Sequence, residues 1–307
     1  MPRNEVTGYA LAVAGAVLFS SKAVVVKMAY GHHIDAETLL ALRMLCSLPF
    51  YLAVGAVNLA RRTAAGQPMP APRAFGSALV VGILGYWLAS YLDFLGLAWV
   101  SATFERLILF TYPLFVVILG RLFFGAKLGI SIVPAFLISY AGLALVFSAH
   151  GGNDGGLGEG DHATLGALLV LGCAVAFALY QLLAKAPIAS LGSELFTSVA
   201  MTGASIVAAS CFAVTHPLGQ LGVVMTILPH AVFLAIGATV IPSYLLNGAL
   251  ARISAQANGA IGMISPISTI FLAALFLHEP LSMTEAAGAA LVLGGVIIFV
   301  WGQKRFG

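Results

Sequence analysis

Charged residues are scarce in this sequence. Aspartate, glutamate, lysine and arginine make up 8% of the 307 residues, whereas 61% are hydrophobic. Soluble domains contain about 25% charged and about 45–50% apolar residues, so a water-soluble core of this length could not hide so much apolar surface. The composition therefore predicts an integral membrane protein, with the lipid bilayer as its surroundings.

Cysteine is rare as well, and catalytic motifs are missing. Cys46, Cys173 and Cys211 lie in apolar segments without CxxC spacing, so they predict neither a disulfide framework nor a metal site. The sequence has no Walker loop and no GxSxG, so we expect no enzyme activity, no ATP hydrolysis and no cofactor. The net charge of +3 is spread singly along the chain, which argues against nucleic acid as a partner.

Ten hydrophobic blocks occupy most of the chain. A bilayer-spanning helix needs about 20 mostly apolar residues, and its backbone must be satisfied internally because the bilayer core holds no water. We predict an all-α membrane protein of ten transmembrane helices, the first of which lacks a cleavage site and is retained. The approximate spans are Gly8–Met28, Thr38–Leu59, Ala74–Phe94, Ser101–Phe124, Ile130–Ala149, Thr164–Ala184, Leu195–Val214, His230–Ala249, Ala255–Leu277 and Thr284–Trp301.

Basic residues fall on one side of the predicted spans. Lysine and arginine in short loops are retained on the cytoplasmic side of a membrane. With a cytoplasmic N-terminus, the outer loops contain aspartate and glutamate but no lysine or arginine. We therefore predict that both termini are cytoplasmic. The basic residues at the inner ends are Arg3, Arg61, Arg62, Arg73, Arg121, Lys127, Lys185, Arg252, Lys304 and Arg305.

The two halves of the chain resemble each other. A shift of 153 residues places Ser90-Tyr91-Leu92 on Ser243-Tyr244-Leu245 and Pro113 on Pro266, and a shift of 158 aligns the first span with the sixth. We predict five-helix repeats over residues 1–150 and 164–307, joined by a glycine-rich periplasmic linker over 151–163. Because five is odd, the second repeat enters the membrane from the opposite face and the repeat is inverted.

Inverted repeats predict alternating access, with substrate held near the midplane between the two halves of the sequence. Pro113 and Pro266 interrupt the fourth and ninth spans. A proline deletes a helical hydrogen bond and loosens the helix at that place. A single proline is more often a static kink, but two at equivalent positions favour hinges, so we predict that Pro113 and Pro266 are hinges.

Charges inside the predicted spans are candidate substrate contacts, because each is costly in a bilayer. Lys22 shares a helix face with Phe19 and could bind a substrate carboxylate or phosphate, or form a structural ion pair with Glu105. Arg43 is near the outer face, where a structural role is favoured. Glu105 and Arg106 are neighbours on one helix and cannot both point into one cavity.

Further polar residues lie at related positions in the two repeats. Glu105 shares a helix face with Tyr112, as do their counterparts Asn258 and Ser265. Aromatic walls with few polar contacts are typical of ligand cavities. Tyrosines at helix ends are more often interfacial belt residues than ligands. The candidate substrate-binding residues are Phe19, Lys22, Trp87, Glu105, Tyr112, Tyr180, Gln181, Tyr244, Asn247, Asn258 and Ser265.

Ten spans and proline-containing fourth and ninth spans preceded by Val100-Ser101-Ala102 and Ile253-Ser254-Ala255 resemble the drug/metabolite transporter superfamily. The segment from Ile264-Ser265-Pro266 to Glu279-Pro280 is similar to its EamA-type branch. The resemblance covers the whole chain and implies helices one to four and six to nine around a central pathway, with five and ten peripheral. Within the branch, the chain looks most like bacterial exporters of amino acids, including aromatic ones.

The sequence thus favours a secondary transporter of the inner membrane that exports amino acids or similar small metabolites by alternating access, with a proton as the candidate coupling ion. One alternative is export of drugs or other cationic compounds, in which Glu105 rather than Lys22 would dominate binding. Another is a non-transporting receptor or assembly subunit, which predicts no solvent-accessible cavity between the two halves.

Overall fold

A computed structural model describes residues 3–30, 34–97, 99, 108–126, 132–150, 163–217, 219, 225, 228–277 and 283–306. Within these residues all regular secondary structure is helical. The α-helices are α1 (Arg3–Tyr30), α2 (Ala36–Ala64), α3 (Pro72–Gly82), α4 (Ala89–Leu97), α5 (Tyr112–Phe124), α6 (Ile132–His150), α7 (Ala163–Leu183), α8 (Lys185–Leu191), α9 (Ser193–Thr215), α10 (Leu228–Ala235), α11 (Ile241–Leu250), α12 (Ala255–Gly262), α13 (Ser265–Leu277) and α14 (Met283–Phe306).

The chain forms two compact units. Unit 1 comprises Met1–Tyr91 and Leu183–Ile253, and unit 2 comprises Leu92–Leu182 and Ser254–Gly307. Each unit therefore contains helices from both halves of the sequence. In unit 1, for example, Gly8 of α1 lies against Ile253 and Gly15 lies against Leu246 of α11. Residue numbers rise along one helix as they fall along the other, so α1 and α11 are antiparallel.

Two π-helical turns interrupt helices of unit 1. One turn, Ile83–Leu88, joins α3 to α4, and the other, Ile236–Val240, joins α10 to α11. Ile236 is 153 residues after Ile83, which is the offset of the internal repeat. A π turn inserts one residue into the helix and rotates the residues after it, and such turns are frequent at functional sites. The sequence predicted continuous helices at both places and missed these turns.

The ninth predicted span is broken where its proline predicts a break. Near the end of α12, Met263 N–H donates to Ala260 O and Ile264 N–H to Ile261 O, which tightens the last turn. The next helix, α13, begins at Ser265 with Pro266 as its second residue. In the first half, α5 begins at Tyr112 with Pro113 second. Movement at these breaks stays a prediction.

Unit 2 contains a close antiparallel pair, α6 and α14. A Cβ atom added at Gly142 would lie 2.6 Å from Gly288 O, and one added at Gly295 would lie 2.6 Å from Ala135 O. These two contacts exchange under the offset of 153, since Gly142 corresponds to Gly295 and Ala135 to Gly288. Glycine at both positions lets the two backbones approach in equivalent ways.

Five helical stretches of the described residues are long and apolar enough to cross a membrane. Three shorter apolar helices cover Tyr112–Phe124, Ile132–Gly142 and Ala286–Phe299. The count of ten spans, the inverted topology and the cytoplasmic termini stay predictions. The five long stretches are Glu37–Ala64, Pro72–Gly96, Thr164–Leu183, Ser193–Thr215 and Leu228–Leu250.

Candidate substrate-binding site

Two tyrosines of unit 1 donate hydrogen bonds to serines. Ser243 Oγ donates to Val240 O at 2.8 Å, so its only proton is used and Tyr51 Oη donates to it at 3.0 Å. In the same way, Ser198 Oγ donates to Glu194 O and accepts a hydrogen bond from Tyr244 Oη, with the two oxygens 2.8 Å apart. The bonds tie α11 to α2 and α9, directly after the second π turn.

Asn247 links three helical segments of unit 1. Its Nδ2 donates to Tyr86 Oη and to Thr197 Oγ1, both at 2.9 Å. Thr197 Oγ1 donates its own hydrogen bond to Ser193 O. The Asn247 atom that faces Thr197 Oγ1 must therefore be the amide nitrogen. Tyr86 lies inside the first π turn. The amide of α11 therefore connects that turn to α9.

Both buried cations of the described residues lie in unit 1. Lys22 is 7% exposed, and its Nζ lies 4.9 Å from the ring centre of Phe19. Arg43 is 3% exposed and donates from Nη2 to Ser90 Oγ at 3.1 Å. Trp87 stacks on Tyr91 with ring centres 5.6 Å apart. A buried cation is costly in a membrane-spanning unit, which makes it a candidate for ligand binding.

Unit 2 brings together a second group of predicted residues. Asn258 Nδ2 donates to Gln181 Oε1 at 2.9 Å. Tyr112 Oη donates to Gly259 O at 3.3 Å. The ring of Phe177 meets Tyr112 edge-on with ring centres 5.0 Å apart. These contacts join α5, α7 and α12 within unit 2.

The remaining predicted residues of unit 2 lie close in sequence to the residues that make these contacts. Tyr180 stacks on Phe177 with ring centres 5.7 Å apart. Ser265 is buried at the start of α13.

Asp93, with 7% of its surface exposed, is the one buried carboxylate in the part of the chain that the structure describes. Buried charge in the described residues is thus cationic in unit 1 and anionic in unit 2.

Lys185 has a structural role in unit 1. Its ammonium donates to Leu250 O at 2.8 Å and to Ile253 O at 2.7 Å, carbonyls at and just beyond the C-terminal end of α11. A cation at a helix C-terminus satisfies orphan carbonyls and interacts favourably with the helix dipole. Lys185 lies between two of the long apolar stretches, and its partial burial lowers its pKa.

Comparison with known proteins identifies the family. The model of the EamA-like transporter family matches residues 6–148 and 164–301. The chain belongs to the EamA-like transporter family. It is therefore a multi-pass membrane protein of a family whose members transport small molecules.

Relatives of this EamA-like transporter extend over most of its length. It is 29% identical over 310 residues to "Uncharacterized transporter YcbK" of Bacillus subtilis (strain 168), covering 98% of this chain and 94% of that protein. It is 24% identical to "Uncharacterized transporter YetK" of the same organism, covering 74% of this chain and 68% of that protein. A solved crystal structure superposes with a TM-score of 0.76 at 19% identity, covering 98% of this chain and 99% of that one, which shows the fold alone.

The EamA-like fold distributes the predicted site residues over both units. Unit 1 holds Phe19, Lys22, Trp87, Tyr244 and Asn247, and a second set lies in unit 2. Glu105 and Arg106, as well as residues 151–162 of the predicted linker, lie outside the described residues. The second set comprises Tyr112, Pro113, Tyr180, Gln181, Asn258, Ser265 and Pro266.

Several polar residues of the unit 1 network were missed by the sequence analysis of this EamA-like transporter. The shared Ser-Tyr-Leu element contains Ser243, but its serine was not singled out, and single hydroxyls within apolar spans give no local signal. The described residues contain no group of three histidines, cysteines or acids that could hold a metal ion. The missed residues are Tyr51, Tyr86, Thr197, Ser198 and Ser243.

Proposed function

We propose that this chain is a secondary transporter that exports amino acids or similar small zwitterions across the inner membrane. The observation that carries the proposal is the burial of Lys22 against Phe19 in unit 1. A lysine inside a membrane-spanning helix is by default a functional candidate. Its ammonium can bind a carboxylate through charge-assisted hydrogen bonds, which are the strongest polar contacts available to a small ligand.

The candidate residues of unit 1 include both apolar and polar side chains. Phe19 and Trp87 supply aromatic surface, while Tyr244 and Asn247 supply polar groups at buried or half-buried positions. Ligand sites generally combine apolar walls with a few well-placed polar groups. An amino acid with an apolar side chain has this combination, and its carboxylate would lie at Lys22.

Alternating access is supported by equivalent features of the two sequence halves. The π turns begin at Ile83 and Ile236, and the close contacts of Gly142 and Gly295 exchange under the same offset. The family model also matches twice, on either side of the predicted linker. Inverted repeats give one fold two near-equivalent conformations, open to opposite sides. We propose that the breaks before Pro113 and Pro266 act as its hinges.

The direction, energy source and orientation of transport are parts of the same proposal. The lysines and arginines at the predicted inner ends support cytoplasmic termini. The absence of a Walker loop from the sequence supports an ion gradient rather than ATP as the driving force, and a proton is the proposed coupling ion. Export rests on the resemblance of the chain to bacterial amino-acid exporters.

Reconstitution tests the proposal. The purified protein in proteoliposomes is given a panel of labelled amino acids, with and without a pH gradient across the membrane. We expect flux of at least one apolar or aromatic amino acid, driven by the gradient. No flux of any panel member would contradict the assignment to amino acids, and flux that ignores the gradient would contradict proton coupling.

A further inference from the structure

Helical structure is interrupted at equivalent positions in the two halves of the sequence, and both interruptions lie in unit 2. The first break is residues 110–111, before α5, and the second break is residues 263–264, before α13. The offset between them is 153, as in the rest of the repeat. At both breaks the second residue donates its N–H to the carbonyl three residues earlier, Ile108 O in one case and Ile261 O in the other.

The first break leaves a backbone carbonyl to which a tyrosine donates. In a continuing α-helix, Leu114 N–H would donate to Phe110 O, but it donates to Thr111 O instead. Tyr140 Oη, on α6, donates to Phe110 O at 3.0 Å. The tyrosine thus supplies the hydrogen bond that the break removes, and a buried carbonyl without a donor would cost free energy.

At the second break the donor comes from the first. In a continuing α-helix, Met263 N–H would donate to Gly259 O, but it donates to Ala260 O instead. Tyr112 Oη donates to Gly259 O at 3.3 Å. Because Tyr112 directly follows the first break, one side chain joins the two breaks.

Glycine at residue 262 makes room for this contact. A Cβ atom added at Gly262 would overlap the Tyr112 hydroxyl, and one added at Gly259 would lie 3.7 Å from Pro113. The side chain of Tyr112 is buried, and the ring of Phe177 packs edge-on against it. The hydroxyl is therefore held against the second break by packing as well as by its hydrogen bond.

We propose that Tyr112 is a positioning residue that couples the two breaks, so that they bend together. The inference rests on the proposed function, in which both breaks are hinges. If one hinge bent alone, the bond to Gly259 would be lost and its buried carbonyl would need another donor. Joint bending keeps the bond. Under the offset of 153 Tyr112 corresponds to Ser265, so the link is a property of this side chain and not of the repeated backbone.

Hydrogen exchange read by mass spectrometry tests the coupling on the purified full-length protein without a substrate. Tyr140→Phe removes the donor to the first break, and Tyr112→Phe removes the link between the breaks. Both changes keep the aromatic ring. Tyr51→Phe removes a tyrosine hydrogen bond to Ser243 in unit 1 and is the matched control. The readout is the exchange rate of backbone amides in residues 108–115 and 259–268.

We expect Tyr140→Phe to raise exchange by about threefold to tenfold at both breaks, because loosening the first break is transmitted to the second through Tyr112. In the Tyr112→Phe background, adding Tyr140→Phe should change the second break no further. Tyr51→Phe should change neither break. An effect of Tyr140→Phe confined to the first break would overturn the proposal, and so would transmission that persists without the Tyr112 hydroxyl.

Transport kinetics separate positioning from substrate contact. Tyr112→Phe should lower the maximal rate of amino-acid flux by about threefold to tenfold, because the hinges no longer move together, and leave half-saturation within about twofold. Binding of 3-phenylpropionate, which has the carboxylate of phenylalanine without its ammonium, should also stay within about twofold. Raised half-saturation or weakened binding beyond that range would mean that Tyr112 contacts the substrate, and would overturn the positioning role.

A second variant keeps the test decisive if Tyr112→Phe does not fold, as judged by size-exclusion chromatography. Gly262→Ala displaces the Tyr112 hydroxyl from the second break and should also abolish the transmitted effect of Tyr140→Phe. Absent wild-type flux with transmission between the breaks intact would sink the proposed function alone. Wild-type flux without transmission would sink the coupling alone.

Discussion

Phe19–Lys22 in unit 1 and Phe177–Tyr180 in unit 2 occupy equivalent positions, because an offset of 158 carries 19 to 177 and 22 to 180. In unit 1 a cation lies 4.9 Å from the phenylalanine ring centre, and in unit 2 a second aromatic ring stacks on it at 5.7 Å. The two halves have kept the phenylalanine and changed its partner. A cation suits an anionic ligand group, whereas stacked rings suit a cationic one.

The buried charges of the described residues also differ between the units. Unit 1 holds the cations Lys22 and Arg43, while unit 2 holds the carboxylate Asp93. All three come from the first half of the sequence, so this difference separates the units and not the two copies of the repeat. The π turns and the paired glycines occupy equivalent positions in the two halves. The comparison teaches that a repeat can keep such backbone features while a side chain such as Lys22 is replaced at the equivalent position, Tyr180.

Replacing the cation of unit 1 should have the largest effect. Lys22→Gln should weaken binding of 3-phenylpropionate by about tenfold to a hundredfold, because a hydrogen bond to a charged group contributes about 1.5–3 kcal/mol. Lys22→Arg, which keeps the charge, should recover part of the loss. Equilibrium binding to the purified protein measures both. Unchanged affinity in Lys22→Gln, with the protein folded, would remove Lys22 from the site.

The equivalence of the two halves can be tested at their paired glycines. Gly142→Ala and Gly295→Ala each place a Cβ 2.6 Å from a carbonyl oxygen, so each should cost about 1–3 kcal/mol of stability. The Cβ at residue 295 would also clash with Ser139 Oγ. Thermal unfolding in detergent should therefore show a drop for both variants, at least as large for Gly295→Ala. Gly294→Ala is the control, since no atom lies within 4 Å of its Cβ position. A loss in only one of the pair would break the proposed symmetry.

A structural cation of unit 1 should respond differently from Lys22. Lys185→Met leaves the Leu250 and Ile253 carbonyls without their donor, so we expect about 1 kcal/mol of lost stability and unchanged affinity for 3-phenylpropionate. Arg252→Met removes an exposed side chain, in the turn after α11, that donates to Gly248 O, and it should cost less. Weakened ligand binding in Lys185→Met would erase the distinction between the two lysines.

The smallest effect concerns Asp35 at the start of α2. Partial burial raises the pKa of Asp35, but hydrogen bonds from Thr38 and the nearby His216 outweigh it and hold that pKa below its usual value. The carboxylate therefore stabilises the fold above about pH 4, and the contribution is lost as the pH falls through the lowered value. Asp35→Asn should lower stability by about 0.3–0.5 kcal/mol at pH 7.

Thermal unfolding at pH 7 and at pH 3 checks the sign of this effect. Asparagine is as good an N-cap as aspartate, so the substitution tests the charge rather than the cap. The gap between wild type and Asp35→Asn should be narrower at pH 3 than at pH 7, because protonation of the carboxylate removes its contribution as the pH falls. A gap that is the same at both values, or wider at pH 3, would contradict the direction of the pKa shift.

Local chemistry made part of this fold predictable. A proline removes one helical hydrogen bond, and the matched prolines of the repeat indicated the break before Pro266. A proline alone does not decide a break, since α2 continues through Pro49. The π turn Ile83–Leu88 carries no such mark, because it has no proline and no glycine pair. The second π turn is followed directly by Pro242, the second residue of α11. Hydropathy gave approximate limits of the apolar helices and could not give these turns.

In the candidate site, too, some contacts could be predicted from the local sequence and others could not. Phe19 and Lys22 are three positions apart on one helix, so their contact could be predicted from periodicity. Gln181 and Asn258 are 77 residues apart, and only tertiary structure brings their amides together.

The most direct test of the central claim is a competition experiment at the buried cation of unit 1. Uptake of labelled phenylalanine into proteoliposomes is competed with 3-phenylpropionate or 2-phenylethylamine, in the wild type and in Lys22→Gln. We predict that Lys22→Gln loses inhibition by the carboxylate and keeps inhibition by the amine. A variant that changes both inhibitors by the same factor would contradict the claim that Lys22 binds the ligand carboxylate.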